Sequence, residues 1–205
     1  TSGRLATGQP ADLMLSGIGF DDTGGPLLFN HPGGMASDGT RLLLADRNNN
    51  RILVWNTPPE GNTPPDLVIG QSDFTANAPG VGRDGLNWPC SVAVGANGRL
   101  AVADTNNDRL LLWGRIPSAN RVAADIVLTL PRLGHGMMAY GWPWGVWTDG
   151  ERLIATATHG GAILIWNRWP AADDAKPDLV LTDPALGTPR SIISDMVTTR
   201  ISLST

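Results

Sequence analysis

Residues 100–114 read "LAVADTNNDRLLLWG", and nearly the same phrase stands at 42–56 as "LLLADRNNNRILVWN". In each, two short apolar runs flank a polar knot, Asp104 to Arg109 in one and Asp46 to Arg51 in the other. A degraded version, "LIATATHGGAILIWN", occupies 153–167. Working outward, the phrase lies inside longer copies. They run "HPGGMASDGTRLLLADRNNNRILVWNTPP" from His31, "WPCSVAVGANGRLAVADTNNDRLLLWGRIP" from Trp88 and "WPWGVWTDGERLIATATHGGAILIWNRWP" from Trp142. A fourth begins "TPRSIISD" at Thr188 and then breaks. Pro32, Pro89, Pro143 and Pro189 lead the copies, and Trp55, Trp113 and Trp166 close the first three, 58 and 53 residues apart.

A second phrase sits between copies: "ADLML" at 11–15, "PDLVI" at 65–69, "ADIVL" at 124–128 and "PDLVL" at 177–181. The unit is therefore four apolar segments, which in the second copy are "SVAV", "RLAVA", "RLLLW" and "DIVL". Each is too short for three helical turns, rich in Val, Ile, Leu or Trp, and bounded by Gly, Asn, Asp or Pro, which reads as strand. Asp38-Gly39, Asn97-Gly98 and Asp149-Gly150 supply tight turns between the first two strands, where positive φ is needed. Four antiparallel strands in a tandem unit of this length describe blades of an all-β propeller.

The residues resemble NHL repeats. Pro, small residues, "VAV", "NG" and "LAVADT-N-N-RL-L-W" in 89–113 are close to that family's motif, and "PDLVIGQSDF" at 65–74 looks like the linker phrase of its bacterial members. The resemblance runs nearly to Asp195. It implies a propeller of about six blades and slightly favours a secreted or periplasmic setting. The count here is smaller: an orphan outer strand at 11–15, blades at about 31–70, 88–130 and 142–182, and the start of another at 188–205. Half a ring leaves open strand edges at both ends, which are sticky. Either more of the protein follows, or another chain completes the ring, a homodimer giving six blades. The last ten residues, "MVTTRISLST", lack the repeat's Gly and Trp but are rich in strand-forming types.

The 205 residues suffice for a real core, and 25 Gly with 16 Pro argue against a helical bundle. The net charge of −4 and basic residues scattered without a run argue against nucleic acid as partner. No apolar run approaches membrane length. The chain starts at Thr1 with no Met or leader, and reads as a processed or excised piece. Cys90 is the sole cysteine, which excludes an intrachain disulfide.

Two readings of the polar knot compete. Asp46-x-Asn48-x-Asn50 and Asp104-x-Asn106-x-Asp108 open like a calcium loop, yet Arg51 and Arg109 stand where such a loop needs Gly, and no Glu closes it. The favoured reading is a turn in which Asp and Asn hold backbone N–H groups and Arg bridges back to Asp. Three histidines, His31, His135 and His159, form a weak zinc candidate. Peptidyl-hydroxyglycine lyases, similar to NHL propellers in fold, hold a central metal on equivalent positions of different blades; these three fall at unlike places. No cofactor is expected, with zinc and calcium left open. Asp21-Asp22 and Asp173-Asp174 lie in turns, and Cys90 reads as a small core residue.

Recurring Trp55, Trp113 and Trp166 read as inter-blade packing. Trp88, Trp142 and Trp144 do not recur in every copy and lie near loops entering the innermost strand, where a propeller's channel opens. With His135, Tyr140 and Arg190 they are the candidate ligand or partner contacts; tryptophans merely stacking on Pro89 and Pro143 are the bland alternative. Long loops at 70–87 and 131–141 are a candidate contact surface. The expected function is a non-enzymatic protein-binding or scaffold module, using loops and open blade edges. The alternative is a metal-dependent lyase or hydrolase with its site in the channel of a completed ring.

Overall fold

A computed structural model of the chain describes residues 7–15, 25–131, 141–194 and 201–204. It contains three four-stranded antiparallel sheets, each a simple meander. The first is β1 (Pro32–Ser37), β2 (Leu42–Asp46), β3 (Arg51–Trp55) and β4 (Leu67–Ile69). The second is β5 (Pro89–Val94), β6 (Leu100–Asp104), β7 (Arg109–Trp113) and β8 (Ile126–Thr129). The third is β9 (Pro143–Thr148), β10 (Leu153–Ala157), β11 (Ala162–Trp166) and β12 (Leu179–Thr182). A two-stranded hairpin follows, β13 (Ser191–Ser194) with β14 (Ile201–Ser204). The broken fourth copy thus still pairs as strands. This is an all-β partial propeller, each sheet a blade.

Alternation explains why the middle strands read as continuous apolar runs. In blade two, Leu100, Val102, Leu111 and Trp113 face blade one, while Ala101, Ala103, Leu110 and Leu112 face blade three. Both faces of the sheet are covered, so neither needs polar residues. Trp113 and Trp166 sit in inter-blade interfaces as expected, whereas Trp55 packs with Leu44, Leu53 and Val68 of its own blade and against Phe29. Trp113 shares a core with Leu43 and Val54 of blade one, and Trp166 with Leu112 and Leu128 of blade two. Each indole N–H donates to a carbonyl in the segment leading to the fourth strand: Trp55 to Thr63, Trp113 to Val122 and Trp166 to Ala175.

Turns behave as their residues demand. Gly39, Gly98 and Gly150 adopt φ of 89°, 81° and 94° between first and second strands. The inner strands converge closely, since a Cβ on Gly33 would lie 2.5 Å from the Cys90 carbonyl oxygen, and one on Gly145 equally near that of Arg190. Residues 11–15, expected as an outer strand, run without strand pairing. Among the described residues no third strand of a preceding blade stands there to offer a ladder, and Leu15 instead packs with Phe29 against the Trp55 cluster.

Candidate functional site

The polar knot is a clasp. Asp46 and Arg51 face each other across the β2–β3 turn, as do Asp104 and Arg109 across β6–β7. Asp46 accepts from the Asn30 amide at 2.7 Å, from Asn49 Nδ2 at 2.8 Å and from Arg51 Nε at 2.7 Å. Arg51 then donates to the carbonyls of Gly25, Leu28 and Phe74. Asp104 repeats the pattern with the Asn87 amide, Asn107 and Arg109, and Arg109 holds the carbonyls of Val81, Gly82 and Gly85. Each knot carboxylate thus accepts three hydrogen bonds, one of them from a guanidinium. Much of the 70–87 loop is pinned by these contacts, by Asn50 on Asn77 and by Gln71 on Ala78.

The last residue of each knot sits in the left-handed region, Asn50 and Asp108 both at φ 52°, a conformation Asn and Asp tolerate. Their side chains reach the next blade. Asn50 Oδ1 accepts the Trp88 backbone N–H at 2.7 Å, and Asp108 Oδ1 accepts that of Trp142 at 2.8 Å. The indoles are fixed as well, Trp88 Nε1 donating to Asn48 Oδ1 and Trp142 Nε1 to Asn106 Oδ1. Trp88 and Trp142 themselves adopt φ of 57° and 44° directly before a proline. Such backbone carries strain that neighbouring bonds must hold, and here the preceding blade's turn supplies those bonds.

Three tryptophans meet where the inner strands begin. Trp88 and Trp142 stack at 5.8 Å, and Trp144 meets both edge-on at 5.7 and 5.3 Å. His159 stacks on Trp142 at 4.1 Å, with its Nδ1 buried and without a hydrogen-bond partner. The Arg47 guanidinium lies 4.6 Å from the Trp88 ring and 5.7 Å from that of Trp144; Arg190 lies 4.8 Å from Trp144. Beside them is a groove of about 210 Å³ floored by Gly34, Ser91, Gly145 and Ser191. Burial pushes the Cys90 thiol up, against the pull of Thr105, Arg47 and Arg190, so it is held protonated and suits packing better than nucleophilic attack.

Of the residues singled out from sequence, Trp88, Trp142, Trp144 and Arg190 thus come together and His159 joins them. The tryptophans stack on one another. His31 occupies the place before Pro32 that Trp88 and Trp142 hold before their prolines, with the same positive φ of 51°. It is exposed, its Nδ1 2.7 Å from Asn30 Oδ1 and 3.0 Å from Asn48 Nδ2. His135 and Tyr140 lie outside the described residues. Among the described residues no group of three or more His, Cys, Asp or Glu is placed to share a metal ion. Arg47 was not singled out as a site residue, being read as part of the knot. Its signal was present: Thr105 and Thr158 stand at that position in the other copies.

No family model matches the sequence, and neither does any curated protein. Solved structures do. The chain is similar to a streptogramin B lyase at 13% identity, covering 84% of this chain and 47% of that one, with a TM-score of 0.53. An inactive variant of virginiamycin B lyase from Staphylococcus aureus matches at 14% identity, over 90% and 50% of the two chains, TM-score 0.53. A protein assigned as a 6-phosphogluconolactonase from Bacteroides uniformis matches at 14%, over 82% and 48%, TM-score 0.55. At such identities the likeness shows the propeller-like fold alone. The chain spans about half the length of these structures, and the fold hosts enzymes among its neighbours.

Proposed function

We propose that this chain is a non-enzymatic binding module of the NHL type, contacting a ligand or protein partner through the groove where its inner strands converge. The observation that carries the reading is the Trp88–Trp142–Trp144 cluster flanked by Arg47 and Arg190. Such groups supply π surface, hydrogen-bond donors and positive charge, the means of recognition. The carboxylates of the adjoining knots are tied to arginines, which leaves them poor general bases. Open blade edges add a second contact surface. Leu179, Val180 and Leu181 of β12 are exposed, an apolar strand that a second copy closing the ring would cover. Light scattering on the purified chain tests this: a species of twice 21.7 kDa is expected, and a stable monomer at high concentration would rule out closure by self-association.

One observation favours the alternative of a metal-dependent lyase or hydrolase: His159 leaves Nδ1 without a partner at the groove. Metal analysis separates the two. Stoichiometric zinc or calcium, lost on His159→Ala, would displace the binding-module reading.

A further inference from the structure

Two positive charges stand at the groove, Arg190 in its lining and Arg47 beside the lining residue Trp144. Seven other arginines pair with carboxylates, whereas among the described residues no carboxylate pairs with Arg47 or Arg190. Both approach the same indole, Trp144, one from the β2–β3 turn of blade one and the other from the inner strand of the fourth copy. Like charges brought together in a partly dry site repel, and an anion between them turns the repulsion into attraction. Arg47 also buries its Nε without an acceptor, a donor left without a bond.

The repeat shows that Arg47 is not there to close the turn. At its position Thr105 donates its hydroxyl to the Pro143 carbonyl at 2.6 Å, and Thr158 does the same to Pro189 at 2.7 Å. Two blades therefore stitch turn to inner strand with a threonine, and blade one gives up that stitch for a cation aimed at the groove. The wider cavity at the opposite mouth, about 560 Å³, offers no such charge. Its ionisable lining groups, Asp38 and Asp149, are already bonded to Arg41 and Arg152.

We propose that the groove is a site for a small organic oxyanion, a carboxylate or phosphate monoester carried on a flat ring. Arg47 and Arg190 hold the oxygens, and Trp144, which lines the groove, packs against the ring. The proposal rests on the binding-module reading and names the chemical class of its ligand.

Benzoate and phenyl phosphate, with benzyl alcohol as the neutral analogue, are the probes, titrated by calorimetry against the wild-type chain, Arg47→Thr and Arg190→Gln. Arg47→Thr installs the residue the other blades use, so it keeps the fold, which its thermal midpoint verifies. One or both anions should bind, and each substitution should weaken binding by about tenfold. Benzyl alcohol should bind more weakly and be indifferent to both substitutions. Preference for phenyl phosphate over benzoate, or the reverse, identifies the headgroup. Equal binding of benzyl alcohol and the anions, unchanged in Arg47→Thr, would overturn the anion assignment while leaving an aromatic binding groove standing. No heat with either anion at millimolar concentration would overturn it too, and the binding module would then be judged by its mass and metal content.

Discussion

Blades two and three are written with the same phrases and end in different states. "ADIVLT" contains β8 and "PDLVLT" contains β12, yet Leu128 is 1% exposed and its counterpart Leu181 is 42% exposed. Both strands pair antiparallel with the third strand of their sheet. What differs is the neighbour. Leu128 shares a core with Trp166 of blade three, packed by Trp169 and Ala175, whereas among the described residues only the β13–β14 hairpin follows β12 in strand order. Apolar residues on a propeller strand are read by the next blade, so stability here is a sum of units and of the contacts between neighbours. The turns differ in parallel. Asp104 faces Arg109 in blade two, and Ala157 faces Ala162 at the same register in blade three, all buried. The same turn is closed once by an ion pair and once by methyl groups.

Removing Arg109 is the strongest way to break the comparison. Arg109→Met leaves Asp104 buried without its counter-charge, at a cost of about 3–5 kcal/mol in urea denaturation. Burial already pushes the Asp104 carboxyl up, opposed by the Asn87 amide, Asn107 and Arg109; without the guanidinium it rises further. A carboxyl whose folded pKa lies above its unfolded value contributes its full stability below the unfolded value and loses it as pH climbs through the folded one. The deficit of the variant should therefore grow as pH rises above about 4, the unfolded value of an Asp carboxyl. Replacing both residues with alanine, as blade three has them, should recover most of the loss. If it does not, the grip of Arg109 on Val81, Gly82 and Gly85 matters more than the ion pair.

Next comes the apolar half. Leu128→Ala should cost about 2–5 kcal/mol, while Leu181→Ala in an isolated chain should stay within about 0.5 kcal/mol. A larger, concentration-dependent loss at Leu181 would show β12 covered by a second copy. Smaller still is a pair of turn glycines. Gly39→Ala and Gly150→Ala both place a side chain at positive φ, at about 1–2 kcal/mol each. Gly39 faces open space, but a Cβ on Gly150 runs into Asn97 of blade two. Gly150→Ala should therefore lose more, by on the order of 1 kcal/mol. Equal thermal shifts would mean that the contact between those turns is loose.

The repeat made the blades legible because strand period, turn glycines and closing tryptophans are all local signals. The clasp was legible too, since Arg51 and Arg109 stand where a calcium loop has glycine. Two features were hidden because a neighbouring blade decides them. Residues 11–15 carry the outer-strand phrase but pair with no strand among the described residues. The left-handed backbone at Trp88 and Trp142 goes against the extended preference of a residue before proline and is held by Asn50 and Asp108 of the preceding blade. Arg47 lay in plain view and was missed as a site residue because it looked like part of the knot; setting it against Thr105 and Thr158 would have exposed it.

The bonds from Asn50 to Trp88 and from Asp108 to Trp142 bear on how such a chain can be cut and recombined. A blade beginning at its leading proline inherits a tryptophan whose posture is dictated by someone else's turn. A shuffled or duplicated blade keeps those bonds only if the donor upstream also ends its knot in Asn or Asp. The exchangeable module is thus offset from the visible sheet. It runs from the knot of one blade to the inner strand of the next, and crossovers in the turn between first and second strands would preserve it where crossovers in the fourth strand or at the proline would not.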